Sequence, residues 1–468
     1  MSDTVGTTEA TKSRLSLPGL LSFLKARVGV DEESQASAFA ALKVLIIRCL
    51  GAALAYASQV LLARILGQTD YGIFALVWVW ILVLGHLTPL GFAQAVCRFA
   101  PHYKARDEDD LLRGFLHTGA LFVAGVSIGF ALISGAILWF ATPAIETVYI
   151  LPFAIALMIF PLFALHDYVE NIARAFNWTI IAITPPFIIR HGLIGLGVLG
   201  AFLLGLPVSA SLAIGVVLLA TLVSLLVQTG FVWLRLRKVI APGTRKKRIR
   251  EWVTTSIPLV FVDGTLVLFS NADILILSLF VEPATIAVYF AASRILQLVA
   301  FVQYAATAAT AHRFTALNAL GDGSALTRLA RTTTRLTLLA SVGAAAIIYL
   351  AAPFLLDLFG EGFDGAMPVL AILMIGLIAQ SFAGPGEDLM NMLGEERACA
   401  MVCVAALILN VVLSFALIPG FGVIGAAIAT ALSVAARSLI LTYLVKRKLG
   451  LDIAFCFPAS KASQGSAP

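Results

Sequence analysis

The chain has 468 residues, of which 60% are apolar and only 12% charged, with a formal net charge of +6. A mean hydropathy of +0.97 excludes a water-soluble protein built on one ordinary core and points to an integral membrane protein. Five cysteines, an odd number, lie in or beside apolar stretches or in the C-terminal tail and support neither a disulfide framework nor a zinc site.

Residues 1–39 are polar and mixed in charge and read as a cytoplasmic tail rather than a cleaved signal. Within it the amphipathic piece LSLPGLLSFLKARVG is broken by Pro18 and too short to span a membrane. Crossing about 30 Å of hydrocarbon takes roughly 20 apolar residues at 1.5 Å each. Twelve such runs begin near residues 43, 72, 114, 149, 180, 210, 253, 285, 332, 365, 397 and 423, and the fourth, fifth and tenth carry prolines. The expected fold is all-α and integral to the membrane, with twelve transmembrane helices. After them, residues 449–468 form a second cytoplasmic tail, ending in the small, polar PASKASQGSAP.

Loop charges set the expected orientation. Basic stretches follow the second run (HYKARDEDDLLR), the sixth (RLRKVIAPGTRKKRIR), the eighth (HRFTALNALGDGSALTRLARTTTR) and the twelfth (KRKLG). The loops after the third, fifth, seventh, ninth and eleventh runs have no lysine or arginine. Basic residues stay on the cytoplasmic side, so both termini are expected inside and NWT at Asn177 is not a glycosylation site. The loops are too short to hold a catalytic domain, and an enzyme is not expected.

A weak internal repeat divides the chain into an N-terminal six-helix lobe (40–238), a basic cytoplasmic linker (239–251) and a C-terminal six-helix lobe (252–448). LLRGFLHTGALFVAG before the fourth run pairs with LTRLARTTTRLTLLAS before the tenth, and ILGQTDYGIFALVWVWI pairs with LFVEPATIAVYFAASRIL. Six is even, so the lobes share one orientation about an axis along the membrane normal. Two such lobes around a central cavity can rock against each other.

The runs carry polar residues where lipid would penalise them. An arginine at a helix centre costs about 2.5–3.5 kcal/mol, so it normally faces protein or water. Arg48 lies in the first run, His86 in the second, Arg190 and His191 in the fifth, Arg294 in the eighth and Arg437 in the twelfth. A shared aqueous cavity that binds substrate accounts for all six. Asp263 and Asp273 in the seventh run, on one helical face with Ser270 and Asn271, either pair with those arginines or bind a coupling ion, H+ or Na+. Asp167 and Glu170, like Glu387 and Asp388, are expected near the inner surface and solvated. Cys399 and Cys403, one turn apart, read as packing residues. No metal cluster, Ser-His-Asp set, phosphate loop or dinucleotide fingerprint is legible, and no cofactor or nucleic acid is expected.

The stretch NVVLSFALIPGFGVIGAAIATALS resembles a signature of the polysaccharide transporter, or oligosaccharide flippase, family. That family belongs to a superfamily that also holds multidrug-and-toxin extruders and lipid II flippases. Its pattern falls here on Asn410, Leu413, Ile418, Pro419, Gly422, Gly425, Ala426, Ala427, Ala429 and Thr430, and a second motif on Ala63, Arg64, Tyr71 and Gly72. In one departure the eighth run ends ATAATAHRFTAL, without the family's usual proline. The resemblance implies a multi-pass transporter of the cell inner membrane that flips polyprenyl-pyrophosphate-linked oligosaccharides for polysaccharide biosynthesis. It implies membrane lipid, a polysaccharide polymerase and export proteins as partners. The alternative is a multidrug extruder of the same superfamily. Arginines suit an anionic head group, which they grip bidentately.

Overall fold

The computed structural model describes residues 32–320 and 322–453; the amphipathic piece at 15–29 and the tail from residue 454 lie outside them. The described residues are helical, in the order α1 (Glu32–Leu87), α2 (Phe92–Ala105), α3 (Asp109–Ala141), α4 (Thr147–Ala175), α5 (Thr179–Thr184), α6 (Arg190–Leu203), α7 (Ala210–Val239), α8 (Ile249–Phe269), α9 (Ala272–Leu277), α10 (Pro283–Ala319), α11 (Gly323–Asp357), α12 (Ala366–Ala383), α13 (Gly386–Met392) and α14 (Glu396–Leu449). All twelve apolar runs fall in these helices or begin within one residue of them.

Among the described residues, ten segments are long and apolar enough to cross a membrane. Two of the helices, α1 with 56 residues and α14 with 54, far exceed one crossing at 1.5 Å per residue. Each is a pair of helices joined at a glycine: Gly67 has φ 72° and Gly422 φ 54°. Glycine enters this left-handed region without the Cβ penalty that other residues meet. The IPGFG break in the sequence is therefore the turn that folds α14 back on itself.

Breaks also separate successive helices elsewhere. Leu90 and Gly91 have φ of 46° and 75° between α1 and α2, Ser270 and Asn271 separate α8 from α9, and Gly384 with φ 88° separates α12 from α13. At the second break both side chains bond back into the preceding turn, Ser270 Oγ to the Leu266 carbonyl (2.9 Å) and Asn271 Nδ2 to that of Val267 (2.8 Å). Such local bonds compete with the helix ladder. The continuous polar face expected through residues 263–273 is thus not formed, and Asp263 and Asp273 sit on different helices.

Between α5 and α6 the chain forms one π-helical turn, Pro185–Ile189, in which the Arg190 amide donates to the Pro185 carbonyl. Proline at 185 and 186 has no amide to give, which favours this wider turn. α10, without the family's proline, runs unbroken for 37 residues.

The main apolar core joins both halves of the chain, with Tyr71, Phe74 and Trp78 of α1 packed among Tyr289, Phe290 and Ile295 of α10 and Phe359 and Phe363 beyond α11. At the end of the bundle that holds the Gly67 turn these residues form a seal. The Tyr71 ring lies 5.8 Å from Phe290 and 6.2 Å from both Phe359 and Phe363, while its hydroxyl donates to Gln59 (3.1 Å). Tyr56 Oη donates to the Leu355 carbonyl (3.2 Å) and Arg64 to that of Asp357 (2.9 Å). Gly72 lies against the Pro283 backbone so closely that a Cβ would overlap its carbonyl.

At the opposite, basic end α8 docks on the first half. Trp252 Nε1 donates to Tyr103 Oη (2.8 Å) and Gln94 Nε2 to Asp263 (2.7 Å).

Candidate functional site

Between the halves lies a cavity of about 510 Å³, bounded by α1, the π-turn, α6 and α10. Arg48, Arg190, His191 and Arg294 line it together with Gln59 and Gln297. The sequence placed these three arginines in separate runs, and the fold brings them to one chamber. The π-turn presents Arg190 and His191 to it; Arg294 comes from α10 just above the aromatic seal.

No aspartate or glutamate lines this cavity, and none lies within ion-pair distance of the three arginines among the described residues. Each guanidinium instead rests on aromatic rings. Arg48 lies 4.5 Å from the centre of Tyr304 and 5.4 Å from Phe187. Arg190 lies 4.9 Å from Phe163 and 5.8 Å from Trp78, and Arg294 4.3 Å from Phe290. Ring faces hold a cation without neutralising it. The Nε atoms of all three arginines, and Nδ1 of His191, are buried with no protein partner. Buried donors normally have partners, so this chamber is built with unmet hydrogen-bonding capacity and uncompensated positive charge.

Two of the expected six residues lie elsewhere. His86 donates from Nδ1 to the Leu82 carbonyl (2.7 Å) and packs edge-on against Phe163, centroids 5.2 Å apart; it does not line the cavity. Arg437 faces a second, smaller chamber of about 300 Å³ among α10, α11, α12 and α14. There it pairs with Glu387 (3.5 Å) over the Phe269 ring (4.8 Å). Glu387, expected to be solvated, is therefore an ion-pair partner: the α12–α13 break folds it back toward α14.

Asp273 is buried at the start of α9. Tyr289 donates to its Oδ2 (2.5 Å), as does Thr430 (3.3 Å), and the Ile274 amide donates to Oδ1 (2.9 Å). Thr430 also receives Asn410 Nδ2 (3.3 Å), and Asn410 Oδ1, Ser414 Oγ and Ser433 Oγ are buried without partners. Asn410 and Thr430 are two of the residues that carry the family resemblance. Asp263 differs: it accepts from Gln94 on α2 and stands near a group on α4 in which Asp167 receives Asn171 Nδ2 (3.1 Å) and Glu170 pairs with Arg174. Glu170 and Asn171 are buried, contrary to the solvated position expected for Asp167 and Glu170, because α2 packs on this face of α4, with Cys97 Sγ 3.6 Å from Asn171 Oδ1. Sequence reasoning missed Tyr304, Phe187 and Trp78 as cavity residues; aromatic side chains in apolar runs carry no signal that separates a cation's seat from ordinary packing.

Discontinuous helices around a polar chamber between two halves define the class: the fold is that of the membrane transporters of the MOP superfamily. An inward-facing multidrug resistance MATE family transporter of that superfamily matches with TM-score 0.68 at 13% identity, covering 88% of this chain and 98% of that one. Lipid II flippase MurJ in an inward closed conformation matches with TM-score 0.66 at 15% identity over 86% and 87% of the two chains. A MOP superfamily transporter from Pyrococcus furiosus Vc1 (DSM3638) matches with TM-score 0.61 at 14% identity over 88% and 95%. The chain itself belongs to the polysaccharide biosynthesis protein family, whose model matches residues 42–312; a MatE model matches residues 258–416. No curated protein matches it.

Proposed function

We propose that this protein flips polyprenyl-pyrophosphate-linked oligosaccharides across the cell inner membrane, by alternating access, for polysaccharide biosynthesis. The observation that carries the reading is the cavity lined by three arginines and no carboxylate. A pyrophosphate brings multiple charge-assisted acceptors, and guanidinium forks with unmet Nε–H groups match them. An extruder of cationic drugs needs the opposite polarity. The polysaccharide biosynthesis family membership supports the same substrate class.

In this reading α1 and α14 each cross twice, giving twelve crossings with both termini inside, and the lobes 40–238 and 252–448 rock about the cavity. The aromatic seal at the Gly67 end then closes the outer side. The head group would enter from the basic end, the cytoplasmic one by the loop charges. His191 adds a further donor beside Arg190. Arg437 and His86 serve from outside the central chamber, the first next to it and the second as packing beneath Arg190's ring Phe163.

Asp273 is the better of the two aspartates for a coupling ion, Na+ or H+. Its neighbours Asn410, Ser414 and Ser433 hold unpartnered oxygens, and its partner Tyr289 lies five residues before Arg294 on α10. A cation bound there would compete for the Asp273 carboxylate and so bear on the helix that carries a substrate arginine. Asp263, satisfied by Gln94, fits a lobe contact instead.

The test is reconstitution. Proteoliposomes that carry a pyrophosphate-linked glycolipid in one leaflet should expose it to a membrane-impermeant lectin at a rate proportional to protein. Exposure no faster than in protein-free vesicles, together with uptake of cationic dyes, would replace the flippase by a drug extruder.

A further inference from the structure

The second chamber shares one wall with the first. Tyr304 on α10 lines both, with Arg48 stacked on its ring from the arginine side. The chemistry on the far side is of another kind. Gln303, Thr333, Thr337, Gln380 and Ser438 supply amides and hydroxyls, and the single arginine, Arg437, stands with two carboxylates, Glu387 and Asp388, and pairs with the first. Both signs of charge are therefore present here, whereas next door only positive charge lines the wall. Thr333 and Arg437 are over nine-tenths buried. Thr337 Oγ1 and Arg437 Nε are buried without partners, and the Gln380 amide and the Tyr304 hydroxyl line the same space. Gln303, by contrast, is anchored by Ser381 Oγ (2.7 Å) and the Leu377 carbonyl (3.0 Å), and Ser381 in turn by Ser341 (3.0 Å). One wall is thus rigid while the rest offers open donors and acceptors.

We propose that this chamber is a binding site for an uncharged sugar. A sugar ring presents hydroxyls that both donate and accept, which matches amides, hydroxyls and a carboxylate–guanidinium pair better than a field of one sign. Its C–H faces suit the ring of Tyr304. At about 300 Å³ the chamber stands at the small end of ligand sites, so it takes the first sugar next to the pyrophosphate and leaves the remaining glycan outside. Acidic sugars are disfavoured by Glu387. The inference rests on the flippase reading only for the claim that pyrophosphate and sugar belong to one ligand.

Two soluble probes separate the claims. Full-length protein in lipid nanodiscs is titrated with inorganic pyrophosphate and, separately, with a panel of glucose, galactose, N-acetylglucosamine and glucuronic acid, following the thermal unfolding midpoint. At least one neutral sugar should stabilise the protein, and glucuronic acid should do so less. Thr337→Val with Gln380→Leu should weaken the sugar effect roughly tenfold or more in apparent affinity and leave that of pyrophosphate in place; Arg190→Ala with Arg294→Ala should do the reverse. If the double variant at 337 and 380 fails to fold, Gln380→Leu alone carries the same expectation. No response to any neutral sugar, or a sugar response untouched by the 337 and 380 changes, overturns the site. Loss of the pyrophosphate response in the unaltered protein while the sugar response stands would instead sink the cationic cavity and spare this chamber.

Discussion

Replacing both Arg190 and Arg294 by alanine removes two of the three guanidiniums in the central cavity while leaving no carboxylate behind, because neither has an ion-pair partner among the described residues. The penalty for stranding a buried counter-charge is thus absent. What the fold loses is the stacking on Phe163 (4.9 Å) and Phe290 (4.3 Å), worth about 0.5–2 kcal/mol each. What the substrate loses is larger. Charge-assisted hydrogen bonds contribute about 1.5–3 kcal/mol apiece, so two lost at the head group cost about 3–6 kcal/mol, roughly a hundredfold to ten-thousandfold in affinity. Lysine keeps the charge and loses the fork, and Arg→Lys at either position should fall between. The assay is glycolipid flipping in proteoliposomes against substrate concentration, with the amount of inserted protein measured in the same vesicles. Unchanged apparent affinity in the double alanine variant, at normal protein levels, would refute the cationic-cavity mechanism. Loss of inserted protein in the lysine variants would assign both arginines to folding instead.

Reporters fused after residues 245 and 325 should register as cytoplasmic and one at residue 206 as external; a reversal at any of them breaks the orientation. Asp273→Asn should leave transport insensitive to a Na+ or pH gradient, whereas Asp263→Asn should keep that dependence and weaken the α2–α8 contact made through Gln94 (2.7 Å); gradient dependence surviving at 273 would leave Asp273 with a structural role alone. Gly72→Ala places a Cβ against the Pro283 carbonyl and should loosen the seal, so that Gln59→Cys in the same chain reacts faster with an external impermeant thiol reagent. An unchanged rate would show that the seal does not depend on that close approach.

The helices were legible because hydrocarbon demands long apolar runs, and every run the sequence shows lies in a helix or begins beside one. Arg48, Arg190, His191 and Arg294 were legible as cavity residues for the same reason inverted: charge in such a run needs somewhere to go. Which chamber each would face was not legible. Arg437 looked equivalent to the others, but its partner Glu387 lies across a helix break at Gly384 (φ 88°), and breaks of this kind follow from local backbone bonding that hydropathy does not register. The same limit hid the separation of Asp263 from Asp273, since equal angular spacing assumes an unbroken helix through Ser270 and Asn271. Asp167 and Glu170 were misplaced for a tertiary reason: α2, distant in sequence, packs on their face of α4.

The π-helical turn at Pro185–Ile189 amounts to one surplus residue in an otherwise regular crossing, and everything after it is rotated by about 100° relative to an uninterrupted helix. The positive charge of the cavity is therefore a matter of phase as much as of composition. Deleting a single codon within 185–189 would preserve every arginine and almost all of the hydropathy, yet swing Arg190 and His191 toward a neighbouring helix or the lipid. Among relatives, a gain or loss of one residue here could retune which head groups are accepted without any exchange of a binding residue.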